Sequence, residues 1–254
     1  MIHFIDKYLK SPTHRITVGV IGAGGTGSQV LNGLARMDIA LRKLNHKGLY
    51  VKCFDKDIVE PSNIGRQLFM NSEIGINKAE ALINRLNRFF SLDWDNAGEY
   101  QPYVEKYRPN IYITCVDNVK VRKEIAGLKY DFNSNNIHNT PFYWIDYGNA
   151  KNIGQVVLGS FRNIKQSIYD RKIVQKKTVK KLKNVCELFP DMVDDNTTPS
   201  CSLAEALERQ DLYINSTLAN IGLALLWKLF REDYISYHGA FVNLQTFKIN
   251  PIKI

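Results

Sequence analysis

Apolar residues in the first part of the chain follow two alternating patterns. Three apolar runs rich in β-branched residues predict buried strands, at 15–21, 49–54 and 111–116. Two intervening segments carry apolar residues at helical spacing, 28–41 and 78–90. In the second of these we expect Leu82, Leu86 and Phe89 to share one buried face. Strands that alternate with helices predict an α/β fold, a Rossmann-like doubly wound sheet whose ligands bind beyond the carboxyl ends of the strands.

The second part of the chain has a different pattern. Further strands are predicted at 142–146, 155–161, 240–244 and 247–249. Ser202 and Glu205 form a capping-box pattern that predicts the start of a helix, and we expect Tyr213 and Leu218 to lie in its buried stripe. We therefore predict a core at 1–161, a basic crossover segment at 162–201 that we expect to be mobile, and a C-terminal helix with strands at 202–254 that complete the same domain.

The composition is typical of a soluble globular protein, with 44% hydrophobic and 23% charged residues in a chain of 254. The sequence has no apolar run long enough to span a membrane and no signal-peptide pattern, so we expect a cytoplasmic protein without membrane contact. Its four cysteines include no Cys-x-x-Cys pair. We therefore expect neither a zinc site nor a disulfide framework.

The formal charge of +9 is concentrated in one segment. Residues 162–183 contain nine lysines and arginines and a single acid. A run of this kind is usually a solvated surface, but it can also attract an acidic protein partner or the phosphates of a nucleic acid. We favour the protein partner over nucleic acid, because the run has one aromatic residue, Tyr169, and that residue alone offers no platform for base stacking.

A glycine-rich turn joins the first predicted strand to the helix that follows it. Residues 22–27, GAGGTG, match the G-x-G-x-x-G pattern of nucleotide-binding proteins in the expected strand–turn–helix setting. Backbone N–H groups at the start of a helix bind anions, and glycine lets the anion approach closely. We therefore expect a nucleotide at Gly22, Gly24, Gly25 and Gly27, although the turn alone does not say which nucleotide.

Two groups of polar residues follow the next two strands. The first group combines acids, amides and cations, and its members are Asp55, Asp57, Ser62, Asn63, Arg66, Gln67 and Lys78. The second is Asp117 with Asn118. An acid after the second strand suits the hydroxyls of a ribose, and the amide and cationic side chains suit phosphate oxygens. Because Mg²⁺ needs few protein ligands when phosphates supply the rest, Asp117 is placed to hold it. The set favours ATP with Mg²⁺ over a dinucleotide.

These motifs resemble the adenylation domain of the ThiF/MoeB/ubiquitin-activating enzyme family. The resemblance rests on the glycine turn, on DKDIVEPSNIGRQ at 55–67, on GINKAEA at 75–81 and on CVDNVKVR at 115–122, in that order. It covers about residues 15–160, including YGN at 147–149 and GQ at 154–155. The remainder, with PSCSL at 199–203 and FVNL at 241–244, is similar to the ThiF-related member of PRTRC cassettes.

The resemblance implies a reaction and a role for the site residues. ATP with Mg²⁺ would meet the C-terminal carboxylate of a small ubiquitin-like or sulfur-carrier protein and give an acyl-adenylate and pyrophosphate. The family pattern assigns the ribose to Asp55, Mg²⁺ to Asp117 and the phosphates to Asn63, Arg66 and Lys78. Catalysis would then consist mainly of positioning and charge stabilisation. Members of the family usually pair, so we expect a homodimer.

Cys201 is the candidate nucleophile that the resemblance adds. Ubiquitin-activating enzymes take the activated carboxylate as a thioester on a cysteine in a Pro-x-Cys context, and Pro199-Ser200-Cys201 offers a similar context. Cys201 also precedes the predicted N-cap of a helix, where the helix dipole favours a thiolate. The alternative is a loop cysteine without chemistry, and the sequence leaves both open.

The chain departs from the family pattern in two respects that leave other functions open. It has no Cys-x-x-Cys pairs, and the one arginine before the glycine turn, Arg15, is too close to it to reach into a partner subunit's site. A nucleotide-binding scaffold that has lost catalysis would show the same departures. An NAD(P)-dependent oxidoreductase would share the glycine turn and Asp55, but it would leave the cations and Asp117 without a role.

Overall fold

Strands and helices alternate through most of the chain. A computed structural model describes residues 1–102, 108–130, 137–166, 177–193 and 203–254. The strands are β1 His3–Phe4, β2 Ile16–Ile21, β3 Leu49–Phe54, β4 Asp95–Ala97, β5 Ile111–Thr114, β6 Tyr143–Asn149, β7 Ile153–Ser160, β8 Tyr234–Ile235, β9 Tyr237–Asn243 and β10 Lys248–Lys253. The helices are α1 Lys7–Lys10, α2 Gly25–Lys43, α3 Lys78–Phe90, α4 Val119–Gly127, α5 Val185–Leu188, α6 Leu203–Arg209 and α7 Ile214–Glu232.

One eight-stranded sheet organises the molecule, in the order β10-β9-β7-β6-β5-β2-β3-β4. The five strands from β6 to β4 are parallel, and β7, β9 and β10 continue the sheet in antiparallel pairs. A separate antiparallel pair joins β1 to β8. The chain runs from β2 outward through β3 to β4 and then returns to β5 on the other side of β2, so the order reverses between β2 and β5. The predicted doubly wound α/β fold is confirmed, and ligands of such sheets bind at that reversal.

Both faces of the sheet are covered by apolar side chains. Val18 and Val20 of β2 belong to a buried cluster that also holds the inner faces of α2, α3 and α7. Tyr112 of β5 and Trp144 of β6 belong to a second cluster with residues of α4 and α5. Alternate residues of a strand point to opposite faces, which explains why these continuous apolar runs are buried on both sides. The layers hold the carboxyl ends of β3, β2 and β5 side by side.

Several element boundaries agree with the sequence patterns, and two predicted core positions are wrong. The bounds of β3 and α3 are those predicted, whereas α2 begins three residues earlier than predicted, within the glycine turn. Phe89 is 78% exposed, because the last turn of α3 directs the neighbouring Phe90 towards the core instead. Tyr213 is 66% exposed, because it is the N-cap of α7 and lies outside the helical repeat. Leu218 is buried as expected.

The C-terminal strands belong to the same sheet as the glycine turn. β9 pairs with β7, with Val242 opposite Gly154, and α7 packs against α2. Of the predicted crossover segment, residues 167–176 and 194–201 lie outside the described residues, and so do Cys201 and the predicted cap Ser202. No helix in the described part of the chain is long and apolar enough to cross a membrane.

Candidate functional site

The glycine turn is held tightly against the end of β5. Gly22 has a positive φ of 93°, and a Cβ on it would come within 2.7 Å of the carbonyl oxygen of Cys115. A Cβ on Gly27 would collide with the carbonyl oxygen of Gly22. The N-cap of α2 is Gly24, which has no side chain to cap the helix. The N-terminus of a 19-residue helix is therefore available to an anion at the point where the strand order reverses.

The acid after β3 is bonded to the glycine turn. The carboxylate of Asp55 accepts the N–H of Ala23 at 2.6 Å and the N–H of Asp57 at 2.9 Å. Burial raises the pKa of Asp55, and the two backbone donors and Lys78 oppose that rise. Each carboxylate oxygen keeps acceptor capacity beyond its single hydrogen bond. Asp55 is thus placed beside the glycine turn with room to accept further hydroxyl donors.

Lys78 and Asp57 lie together at the start of α3. The ammonium of Lys78 is 3.3 Å from Asp57, and its side chain is only 11% exposed. The amide of Asn77 donates to the carbonyl oxygens of Asp55 and Asp57 while its own oxygen caps α3. This network fixes the loop after β3 to the helix. It places a largely buried cation near the acids that follow the strand.

The segment 61–68 folds over the start of α2. A 3-10 turn at Pro61–Asn63 is closed by Asn63, whose side-chain oxygen accepts the N–H of Glu60 at 3.0 Å. Both Ser62 and Asn63 are buried. The N–H of Leu68 donates to the hydroxyl of Ser28 on α2 at 3.3 Å. The segment therefore closes one side of the space in front of the glycine turn.

Arg66 and Gln67 contain polar atoms that the described residues leave unsatisfied. Arg66 donates from Nη1 to Gln210 at 3.4 Å, whereas its Nε is buried without a partner and no described carboxylate lies within ion-pair distance. Burial lowers the pKa of Arg66. The side-chain oxygen of Gln67 is also buried without a described partner, and the amide lies about 4 Å from where a Cβ on Gly24 would stand. Other buried polar atoms of the described chain, such as the hydroxyl of Tyr147, also lack a partner, but these two groups lie near the glycine turn, where a ligand would complete them.

Asp117 and Asn118 follow β5, the neighbour of β2 in the sheet. Asp117 is exposed and makes no hydrogen bond or ion pair with any described residue. Asn118 is the N-cap of α4, where its side-chain oxygen accepts the N–H of Lys120 at 2.7 Å. No group of three metal-ligating side chains occurs in the described ranges. A single free carboxylate fits a cation whose other ligands come from phosphates and water.

A buried ion pair fixes the loop that carries Asp117. Nε of Arg122 donates to Asp146 at 2.8 Å, and the side chains of both residues are less than 10% exposed. The hydroxyl of Thr114 donates to the same carboxylate oxygen. Nη2 of Arg122 donates to the carbonyl oxygens of Val116 at 2.6 Å and Tyr147 at 2.8 Å. Arg122 therefore ties the end of β5 to the end of β6.

The sequence patterns did not reveal three residues that support the site. Asp146 lies in a predicted strand without any signal of its ion pair, and Gln210 and Asn215 lie in the C-terminal helical region. Gln210 contacts Arg66, and Asn215 contacts the first turn of α2 through Thr26. No local sequence pattern pointed to them, because the burial of Asn215 and its contacts are known only from the structure. Cys201, the candidate nucleophile, lies outside the described residues.

Comparison with known proteins places this geometry in a family. The model of the ThiF family matches residues 5–251. No curated protein sequence matches the chain. Among solved structures, E. coli MccB with ATP is 16% identical with a TM-score of 0.56, and the match covers 96% of this chain and 64% of that chain.

Two further structures show the same likeness. The microcin C7 biosynthetic enzyme MccB in complex with N-formylated MccA is 16% identical, with a TM-score of 0.56 over 94% of this chain and 64% of that chain. PaaA is 16% identical, with a TM-score of 0.57 and the same two coverages, 94% and 64%. At such identities the likeness shows a shared fold. The chain spans about 64% of the length of these proteins.

Proposed function

The chain belongs to the ThiF family, and from that membership we propose that it is an ATP-dependent adenylyltransferase that activates the carboxylate of a small protein or peptide. The observation that carries the proposal is the half-buried guanidinium of Arg66, which has no carboxylate partner in the described part of the chain. Its neighbour Gln67 lies against Gly24, the N-cap of α2. A cation and an uncapped helix N-terminus side by side both favour an anion, and a triphosphate supplies one.

Each site residue has a role that its surroundings support. Asp55 would accept the ribose hydroxyls with the lone pairs that Ala23 and Asp57 leave available. Arg66 and Lys78 would hold the phosphate oxygens on which charge accumulates as the carboxylate of the partner attacks the α-phosphorus and pyrophosphate departs. Asp117 would hold Mg²⁺, which when bound would neutralise charge on the phosphates. Asn63 and Ser62, both buried, would support the segment that carries Arg66.

Calorimetric titration tests the proposal. The unaltered protein should bind ATP with Mg²⁺ and should not bind NAD. Arg66→Ala should weaken ATP binding by about tenfold or more, because a charge-assisted hydrogen bond to phosphate is lost. Arg15→Ala is the matched control, since Arg15 precedes β2 at the opposite end of the strand and already pairs with Asp93. Binding of NAD without ATP, or equal ATP binding by Arg66→Ala, would contradict the proposal.

A catalytically inactive scaffold is the alternative that titration alone does not remove. It would bind ATP through the same residues but would form no acyl-adenylate. Exchange of labelled pyrophosphate into ATP, measured with candidate carrier proteins added, separates the two. Exchange that requires Asp117 supports the enzyme. ATP binding without exchange in the presence of a carrier that binds tightly supports the scaffold.

We propose a ubiquitin-like or sulfur-carrier protein with an acidic surface as the partner. Among the described residues of the basic segment, Lys165, Lys177, Lys180 and Lys183 are exposed. The N–H of Ile164 donates to the carbonyl oxygen of Lys180 at 2.8 Å, which brings the two described parts of this segment together. Clustered positive charge raises the rate of association with an acidic protein, and added salt should reduce that rate. The homodimer and the similarity to the PRTRC cassette member stay predictions.

A thioester on Cys201 is a further step of the same proposal. The thiolate would attack the carbonyl carbon of the acyl-adenylate, a thioester would form and AMP would leave with the electron pair of the broken C–O bond. Support comes from α6, which begins at Leu203, two residues after Cys201. A carrier adduct that reducing agent removes should form with Cys186→Ser and be absent with Cys201→Ser. Formation of the adduct by Cys201→Ser would contradict this step.

A further inference from the structure

One amide side chain connects three segments around the glycine turn. The oxygen of Asn215, in the first turn of α7, accepts the hydroxyl of Thr26 at 2.8 Å and the side-chain N–H of Asn149 at 2.9 Å. Its nitrogen donates to the oxygen of Gln210 at 2.8 Å. Asn215 is 3% exposed and its bond with Thr26 is buried, whereas the bonds with Asn149 and Gln210 are partly buried. Buried polar networks whose members are all bonded restrict their residues to one arrangement.

The approach of Asn215 to the glycine turn requires glycine. A Cβ on Gly25 would come within 2.6 Å of the nitrogen of Asn215 and 2.8 Å of its amide carbon. Glycine is therefore needed at position 25 for two reasons: a larger residue would collide with Asn215 of α7, and it would obstruct an anion approaching the turn. The start of α2 and the start of α7 are in this way held in direct contact.

Gln210 connects Asn215 to Arg66 through hydrogen bonds. The oxygen of Gln210 accepts Nη1 of Arg66 at 3.4 Å as well as the nitrogen of Asn215. Gln210 follows α6 directly, and α6 contacts the 3-10 turn Pro61–Asn63 that precedes Arg66. A neutral amide at 3.4 Å orients a guanidinium without neutralising it, so the guanidinium remains available to a stronger acceptor.

We propose that Gln210 is a positioning residue for the phosphates of ATP, and that Asn215 anchors it to the start of α2. Gln210 holds Arg66 in the orientation that a triphosphate meets, and gives up its hydrogen bond when the phosphate oxygens take the guanidinium. A carboxylate at this position would instead keep Arg66 as an ion pair and compete with the nucleotide. This inference rests on the proposed ATP site. It predicts that Gln210 affects the affinity for the phosphates of ATP and not the affinity for its base.

The test is calorimetric titration of Gln210→Glu with ATP and, separately, with adenosine. ATP affinity should fall about tenfold or more, and adenosine affinity should change less than about twofold, because only the phosphates meet Arg66. In the Arg66→Ala background the same substitution should change ATP affinity less than about twofold. Gln245→Glu, at an exposed glutamine in the loop between β9 and β10, is the matched control and should leave both affinities unchanged.

A second variant tests the anchor without adding a charge. Asn215→Ala loses the donor to Gln210, and it should likewise reduce ATP affinity more than adenosine affinity. Equal losses for both ligands, or a full effect of Gln210→Glu without Arg66, would overturn the inference. If the unaltered protein binds ATP and Arg66→Ala weakens it while Gln210→Glu does not, the inference fails and the ATP site stands. Failure of the unaltered protein to bind ATP would overturn both.

Discussion

Removal of the Arg122 side chain should destabilise the protein strongly. In Arg122→Ala, Asp146 would keep only the hydroxyl of Thr114 as a donor, in a position where the aspartate side chain is 1% exposed. The carbonyl oxygens of Val116 and Tyr147 would lose their Arg122 donors as well. Breaking a buried pair by removing one partner lowers the free energy of unfolding by about 3–5 kcal/mol, because the remaining charge stays buried without compensation.

Urea unfolding monitored by tryptophan fluorescence measures this effect. The matched control is Lys120→Ala on the same helix, because Lys120 pairs with Glu124 at 3.9 Å and its side chain is 77% exposed. That substitution should change the free energy of unfolding by less than about 0.5 kcal/mol. Adding Asp146→Asn to Arg122→Ala should recover part of the loss, since the uncompensated charge disappears. Equal effects of Arg122→Ala and Lys120→Ala would refute the reasoning.

Three further predictions concern pH, backbone packing and thiol reactivity. Burial lowers the pKa of His3 to about 4 from 6.5, so the unfolded chain binds a proton that the folded chain excludes. Stability should therefore fall by up to about 3 kcal/mol as the pH drops from 6.5 to 4, and an NMR titration that gave His3 a pKa near 6.5 would contradict this. Gly27→Ala should reduce stability by about 3 kcal/mol and abolish ATP binding in calorimetry, whereas Gly98→Ala, with open space around it, should change neither. Alkylation mapped by mass spectrometry should modify Cys186 before Cys53, because Cys53 is fully buried and burial raises its pKa well above the usual range; faster modification of Cys53 would be inconsistent with the packing.

Local patterns were sufficient to predict every strand of the large sheet except β4, the three-residue edge strand Asp95–Ala97. The bounds of α3 were predictable because Asn77 caps its start and the apolar repeat continues to its end. The exposed Phe89 shows the limit of such patterns, since Phe89 and Phe90 compete for the core and the choice depends on where α3 passes the edge strand β4. Periodicity gives the buried face of a helix to within about one residue, and neighbouring elements decide the rest.

The candidate site was predictable to the extent that its residues are contiguous in sequence. Two of its acids, Asp55 and Asp57, follow β3, and Lys78 begins the next helix, α3. In the structure Lys78 contacts Asp57, and Asn77 before it bonds to the backbone of Asp55. The partner of Arg66 was not predictable, because Gln210 lies 144 positions away and no local pattern distinguishes it from other glutamines. The same holds for Thr26 and Asn215, which are 189 positions apart.

Because these partners are far apart in the sequence, the motifs alone do not determine the geometry of the candidate site. The glycine turn supplies backbone N–H groups through local geometry, but the direction of the Arg66 guanidinium depends on Gln210, which α7 holds through Asn215. α7 in turn packs against α2, the helix that the glycine turn begins. A substitution that shifts α7 should therefore change phosphate binding without touching any motif residue. In the proposed ATP site, affinity for the phosphates would therefore depend on the whole sheet and its C-terminal helix, because both determine the position of the Arg66 guanidinium relative to the N-terminus of α2.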